Sequence, residues 1–153
     1  MSHLTPVGVK YTDRNAICKA LEAFGLPWEA GPLLLTNARY TSDDAKIQVD
    51  LMIRAASFSV DVGVDVGFEL TKNGDYNLHF DSFDLDYIWR NSKKNPFCEF
   101  NSGFAESFTM QYTIESLKLA HGSQWQLDAV ENSSQGLRLR STLKTAESQL
   151  LTV

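Results

Sequence analysis

Three aspartates beside aromatic residues form the side-chain group in this sequence with the clearest chemical potential. Asp81, Asp84 and Asp86 are followed closely by Tyr87 and Trp89. Carboxylate oxygens are the ligands that Mg²⁺ and Ca²⁺ prefer, but an EF-hand loop also needs a central glycine and a terminal glutamate, which do not follow here. A solvated strand edge is therefore the favoured interpretation, ahead of a partner contact and well ahead of a metal. We keep Asp84 and Asp86 as candidate protein-binding residues.

The other reactive side chains lack the spacing that catalysis or metal binding needs. The histidines, His3, His79 and His121, are isolated from one another in the sequence. Cys18 is expected in the core, and Cys98 is expected in a loop with nearby lysines that favour a thiolate. No CxxC pair, zinc-ligand spacing, phosphate-binding glycine loop or GxSxG turn is present. The sequence predicts two free thiols, no catalytic residue, no metal site and no cofactor.

Length and charge narrow the class of protein. A chain of 153 residues fits one domain and can bury about 70% of its unfolded surface without a metal or a disulfide. The net charge of −5 argues against nucleic acid as a partner, because that interaction needs clustered Lys and Arg. The amino terminus has no secretory pattern, and no apolar run approaches the ~20 residues of a membrane span. These features predict a cytoplasmic protein in a reducing compartment.

The first third of the chain predicts a strand, a helix and a second strand. Residues 7–11 alternate as a strand, and Asp13 is suited to cap the helix that follows. Apolar residues at helical spacing predict one buried stripe, formed by Ile17, Ala20, Leu21 and Phe24. Gly25 is expected to end this helix. Residues 28–32 are interpreted as a loop, and residues 45–54 alternate as a half-buried strand.

The clearest pattern is a strict alternation over residues 60–70, which predicts one long strand. The length of the turn that follows determines whether the apolar residues of the two strands lie on the same face. A two-residue turn at Asn73 and Gly74 would place the apolar residues of the two strands on opposite faces. A three-residue loop instead pairs Leu70 with Tyr76, keeps one apolar face and suits Gly74 at a left-handed position.

The second half of the chain predicts a further strand, a long helix and a hairpin. Residues 83–89 alternate again in a shifted register, which predicts a bulge near residues 81–82. Residues 91–102 are polar and predict a loop. The long helix is expected over residues 104–121, capped by Asn101 or Ser102 and ended by Gly122.

The hairpin and the order of elements complete the predicted fold. Apolar residues alternate over residues 125–143, with a connection at residues 132–136. We therefore predict an α+β domain over residues 1–143, with a carboxy-terminal tail at residues 144–153. Its mainly antiparallel sheet has about seven or eight strands, and two helices pack on one face.

The long helix carries two apolar stripes, although a helix lying on a sheet needs only one. The first stripe is formed by Phe104, Phe108, Tyr112 and Leu119. The second lies well over 90° away and is formed by Met110, Ile114 and Leu117. This second stripe is expected to pack against the first helix or the tail, or alternatively to bind a partner. Met110, Ile114 and Leu117 are therefore candidate protein-binding residues.

Several segments, in order, resemble a known family. They are the start Met1-Ser2-His3, the run 7–26 with Ala20-Leu21 and Phe24-Gly25, the segment 64–68 followed by residues 73–76, and the aromatic helix around Phe108 and Tyr112. Together they resemble the hypothetical chloroplast reading frame thirty-five family of cyanobacteria and plastids, a domain of unknown function. The sequence departs from that pattern at residues 91–102, which look like an insertion, and in its longer tail. The resemblance implies a cyanobacterial-type cytosol, a plastid stroma or a virus of such cells, and no activity.

These observations favour a non-enzymatic protein-binding or assembly protein, acting through a protein partner or through self-association. The alternative is a small-ligand-binding protein or an enzyme, with a pocket between the sheet and the helices. Such a pocket would be lined by Phe68, Tyr76, Phe108 and Tyr112.

Overall fold

The computed structural model describes residues 5–35, 47–59, 62–133 and 136–144, with side chains described from residue 10 onward except at residue 133. The elements in chain order are β1 (Thr5–Tyr11), α1 (Arg14–Ala23), β2 (Glu29–Leu35), β3 (Ile47–Ile53), β4 (Val66–Leu70), β5 (Tyr76–Phe80), α2 (Ser82–Arg90), α3 (Phe104–His121), β6 (Trp125–Ser133) and β7 (Gly136–Leu143). The predictions at residues 1–4, 45–46, 60–61 and 145–153 lie outside the described residues.

Seven strands form two separate antiparallel sheets within the described residues. The larger sheet has the order β1-β5-β4-β3-β2, and the smaller consists of β6 and β7 alone. This confirms the α+β class and the approximate number of strands. The single sheet and the two helices of the prediction need correction, because the last hairpin is a sheet of its own and a third helix replaces a predicted strand.

Helix α1 begins and ends where its sequence predicts. The Asp13 Oδ1 atom accepts hydrogen bonds from the backbone N–H groups of Asn15 and Ala16 at 2.9 and 3.3 Å. Gly25 follows the helix at φ +70°, a left-handed conformation that glycine adopts without strain. The loop predicted at residues 28–32 is wrong, because β2 already begins at Glu29. Gly31 and Pro32 favour a loop in the sequence, but β2 lies at the end of the described strand order, where proline is tolerated.

The β4–β5 hairpin has the predicted register. Leu70 pairs with Tyr76, and the Thr71 N–H donates to the Asp75 carbonyl oxygen at 2.8 Å. Gly74 lies at φ +86°, as the three-residue loop requires. The strand predicted over residues 60–70 is confirmed only from Val66 onward, since β4 begins there. Residues 62–65 are wrong as a strand, and the Val62 N–H donates instead to the Ser59 carbonyl oxygen.

The strand predicted at residues 83–89 is wrong, because this segment is the nine-residue helix α2. Its apolar residues alternate as in a strand, but Leu85 and Trp89 are four residues apart, which also places them on one face of a helix. These two side chains are buried, whereas Phe83 and Tyr87 are exposed. Asp81 caps the helix, so the predicted bulge at residues 81–82 is wrong as well.

Helix α3 connects the two sheets through the main core. Its Phe108 ring lies 5.0 Å from Phe68 of β4 and 5.2 Å from Tyr11 of β1. The Tyr11 hydroxyl hydrogen-bonds the Thr109 Oγ1 atom at 2.9 Å, and burial raises the pKa of Tyr11 to about 12. Helix α3 also contacts α1, β6 and β7, so helices fill the space between the large sheet and the last hairpin. Backbone pairing of Ser133 with Gly136 makes the hairpin connection shorter than predicted.

Candidate functional site

The three aspartates of the predicted cluster separate into three structural environments. The Asp81 Oδ1 atom accepts from the Phe83 and Asp84 N–H groups at 3.0 and 3.4 Å and caps α2. Asp84 is buried, and its Oδ2 atom accepts from the Gly63 N–H at 3.4 Å. Asp86 lies on another side of the same helix. The solvated strand edge predicted for Asp84 and Asp86 is therefore wrong, because helical geometry separates the two carboxylates.

An open groove of about 550 Å³ lies beside the exposed face of α2. We call it the α2 groove, and its lining residues are Ser82, Phe83, Asp86, Tyr87, Arg90, Asn91 and Asn101. All but Asn101 belong to α2 or to its carboxy-terminal cap. One short helix therefore supplies almost the entire site.

Two aromatic side chains dominate the surface of this groove. Phe83 and Tyr87 are one helical turn apart, and they are 67% and 79% exposed. Arg90 lies two turns from Phe83 on the same helix face and makes no ion pair within the described part of the chain. The exposed face of α2 thus combines two rings, a guanidinium group and the Asp86 carboxylate.

Asp86 is held by the start of α3. Its Oδ1 atom accepts a hydrogen bond from the Phe104 N–H at 2.9 Å. Burial raises the pKa of the Asp86 carboxyl, whereas the Phe104 hydrogen bond and the positive charge of Arg90 oppose that rise. The predicted caps Asn101 and Ser102 are wrong, because Gly103 occupies the N-cap without a side chain and Asp86 supplies the missing acceptor. A carboxylate on one helix thereby caps the next.

A buried polar network fixes the loop that carries Asn101 to the groove. The Asn95 Nδ2 atom donates to the Trp89 and Ser102 carbonyl oxygens at 3.3 and 3.4 Å. Its Oδ1 atom accepts from the Phe97 N–H at 2.9 Å and from the Ser107 hydroxyl at 3.2 Å. Residues 91–102 form the predicted loop apart from one 3₁₀ turn at Cys98–Phe100, and side-chain hydrogen bonds attach it to α2 and α3. Asn101 reaches the groove in a left-handed conformation at φ 55°.

The second stripe of α3 is covered by the chain itself. Met110 and Ile114 are 7% and 4% exposed and belong to the same core cluster as Trp125. Leu117 packs against that cluster and is partly buried. Helix α3 contacts α1, β6 and β7, and the burial of Met110 and Ile114 places this stripe in the core. The tail that was also expected to cover it lies outside the described residues. A protein-binding role for these three residues stays a prediction.

The aromatic residues predicted to line a ligand pocket instead fill the core. Phe68, Tyr76 and Phe108 are buried, and the Phe108 ring lies 6.3 Å from that of Tyr112. The Tyr112 hydroxyl accepts from the Thr12 and Asp13 N–H groups at 2.9 and 3.0 Å, which fixes the entry to α1. These rings therefore pack against one another, and a ligand pocket lined by them stays a prediction.

The histidines and cysteines occupy separate places. His79 Nε2 lies 3.0 Å from Glu69 Oε1 on adjacent strands, and His121 ends α3. His3 lies outside the described residues. Cys18 is half-buried and Cys98 is exposed, both as free thiols, and burial raises the pKa of the Cys18 thiol.

Sequence reasoning missed Phe83, Tyr87 and Arg90 as members of one surface. The residues at the two ends of this segment are typical of a helix and could have revealed it. Asp81 is a good N-cap, Asp84 lies in the first turn and Arg90 in the last, which is the charge order that a helix dipole favours. A helical interpretation of this segment would have placed Phe83 and Tyr87 on one exposed face.

Among the described residues, no group of three or more His, Cys, Asp or Glu side chains is placed to hold a metal ion. None of the helices in those ranges is long and apolar enough to cross a membrane. Comparison with protein-family models, with curated proteins and with solved structures found no match. Function is therefore inferred from the side chains of the α2 groove.

Proposed function

We propose that this chain is a non-enzymatic protein-binding or assembly protein whose contact surface is the α2 groove. The observation that carries this proposal is the exposure of Phe83 and Tyr87, side by side on an ordered helix. Aromatic and arginine side chains are enriched among the residues that dominate protein–protein binding energy. Covering the two rings with a partner removes a large apolar area from water.

The construction of the groove supports the same function. Asp86 is hydrogen-bonded to Phe104, and the Asn95 network holds the loop that carries Asn101. A surface that is already ordered loses little conformational entropy when a partner docks. The amide and hydroxyl side chains around the two rings give the polar rim that such interfaces have.

The origin and compartment of the chain belong to this proposal. The resemblance to the chloroplast reading frame thirty-five family supports a cyanobacterial-type cell, a plastid or a virus of such cells. We propose the cytoplasm or the plastid stroma as the compartment. The insertion that the resemblance implies at residues 91–102 supplies Asn91 and Asn101 to the groove, so we propose that it provides a contact specific to this chain.

Site-specific photo-cross-linking tests the proposal in the cells that express the chain. A photoreactive phenylalanine analogue replaces Phe83 or Tyr87 in turn. We expect a discrete cross-linked protein band from both positions, because both rings line the groove. The matched control carries the analogue at Leu119, which is 50% exposed on α3 and outside the groove.

Two outcomes would overturn a protein-binding role for the groove. One is equal cross-linking from position 119, which would indicate random collision. The other is a small molecule that is released stoichiometrically on denaturation and is lost in the Phe83→Ala variant. That second result would establish the alternative, a small-ligand site.

A further inference from the structure

Apart from Asn101, the residues that line the α2 groove are complementary to themselves about a point between Asp86 and Tyr87. Asp86 and Tyr87, an acceptor and a hydroxyl donor, flank this point. Phe83 and Arg90 lie equally far from it on opposite sides, and so do Ser82 and Asn91. The Phe83 ring therefore occupies the position that corresponds to the Arg90 guanidinium, and the Ser82 hydroxyl the position that corresponds to the Asn91 amide.

We propose that the occupant of the α2 groove is α2 of a second copy of this chain, packed antiparallel across a twofold axis. This inference rests on the proposed function, because it uses the same surface. An isologous interface brings each residue against its mirror position on the partner. Phe83 then faces Arg90 of the second copy, and Tyr87 faces Asp86 of the second copy.

Each of these facing pairs is chemically favourable. A guanidinium over the face of an aromatic ring makes a cation–π contact, and the pair occurs twice in a twofold dimer. The Tyr87 hydroxyl is a donor, and the Asp86 carboxylate uses one oxygen for Phe104 and keeps acceptor capacity. Antiparallel helices also place the positive end of one dipole near the negative end of the other.

The length of α2 sets the strength of the association. Nine residues span about 13.5 Å of helix axis, so the contact is small compared with a stable dimer interface. Each copy also carries a net charge of −5, and this mutual repulsion is screened at physiological ionic strength. We therefore expect a weak dimer that forms with rising protein concentration.

Sedimentation equilibrium of matched charge variants tests the pairing in buffered salt near 0.15 M. Phe83→Arg puts a cation opposite Arg90 of the second copy and is expected to weaken the dimer about tenfold or more. Phe83→Glu changes the same exposed site but puts a carboxylate opposite that arginine, so association is expected to persist. The exchange variant with Phe83→Arg and Arg90→Phe restores the pair and is expected to dimerise again.

Cysteine cross-linking tests the register independently, in a background with Cys18→Ala and Cys98→Ser. Chains with Phe83→Cys and Arg90→Cys should form a disulfide only when mixed, since each site faces the other. Seven helical residues, or about 10.5 Å, separate each cysteine from its own symmetry mate, which is too far for a disulfide.

The outcomes separate this inference from the proposed function. A wild-type chain that stays monomeric at millimolar concentration overturns the dimer, and so does equal loss in the Phe83→Arg and Phe83→Glu variants. If position 83 still cross-links to a different protein, the protein-binding function stands without self-association. If neither dimer nor cross-link forms, both proposals fail.

Discussion

The Oδ1 atom of Asp86 in α2 accepts a hydrogen bond from the backbone N–H of Phe104, the first residue of α3, at 2.9 Å. One carboxylate therefore lines the exposed groove and at the same time caps the helix at the centre of the core. The surface of α2 and the position of α3 are coupled through this residue. Substitutions at Asp86 will consequently report on folding as well as on binding.

The first prediction concerns the dependence of stability on pH. Burial raises the folded-state pKa of Asp86 above its ordinary value of 3.8, so the folded chain binds a proton that the unfolded chain has already released. As the pH rises through the interval above 3.8, wild-type stability should fall relative to that of Asp86→Asn. Urea denaturation of both proteins between about pH 3.5 and 6.5 measures this difference.

Asp86→Asn keeps an oxygen acceptor for Phe104, so it isolates the effect of charge. Asp86→Ala is the companion variant, and it should lose about 0.5–2 kcal/mol at every pH because the cap disappears. A wild-type stability that rises relative to that of Asp86→Asn as the pH rises would contradict a raised pKa.

The second prediction concerns Gly103, which lies against the same carboxylate. A Cβ atom added there would lie 3.0 Å from the Asp86 Cγ atom and 3.1 Å from both of its oxygens. Gly103→Ala should therefore cost about 1–3 kcal/mol through overpacking. In the Asp86→Ala background the crowding is gone, so the cost should fall to the ~1 kcal/mol expected at an N-cap. Additive costs in this double-mutant cycle would show that the two residues do not interact.

The third prediction tests the orientation of α2. Leu85 is 1% exposed and packs in the core, so Leu85→Ala should lose about 2–5 kcal/mol. Tyr87 is on the opposite face, and Tyr87→Ala should change the free energy of unfolding by less than about 0.5 kcal/mol. Chemical denaturation measures both. In a strand the two side chains would share one face, so comparable losses would support the strand that the alternating pattern suggested.

The part of the fold that the sequence predicts correctly is the part with local and unambiguous signals. Asp13 and Gly25 bound α1, Gly122 ends α3, and parity decides the pairing of Leu70 with Tyr76. Each of these features depends on backbone conformation or side-chain alternation within a short stretch. Local physics is sufficient to predict such features.

The groove could not be predicted in the same way, because its segment satisfies two periodicities. Leu85 and Trp89 fit both an alternating strand and one face of a helix. Tertiary contacts decide between them, since Asp86 must reach the backbone of Phe104, a residue on the next helix. Strand β2 was missed because it contains Gly31 and Pro32, which usually interrupt a strand. They are tolerated here because β2 pairs only with β3 among the described residues.

The fourth prediction concerns the close approach of two strands at Gly67. A Cβ atom there would lie 2.6 Å from the Val49 Cγ1 atom, and valine has little rotameric freedom to move away. Gly67→Ala should cost about 1–3 kcal/mol. The double variant with Val49→Ala should recover part of that loss, because the added methyl group then occupies the vacated space. Thermal and urea melts of the four proteins of this cycle measure the coupling, and a double variant with purely additive losses would exclude the steric explanation.

The fifth prediction decides whether the second stripe of α3 is core or interface. Ile114 is 4% exposed in the main cluster, so Ile114→Asp buries a carboxylate without a partner and should cost about 3 kcal/mol or more. That is a large share of the roughly 5–15 kcal/mol that stabilises a domain.

Leu119→Asp is the matched control on the same helix, and it should leave the melting temperature nearly unchanged because Leu119 is already half exposed. Thermal melting beside light scattering separates the two roles. A low melting temperature at unchanged mass identifies core, whereas a lower mass with an unchanged melt would return Met110, Ile114 and Leu117 to the list of binding residues.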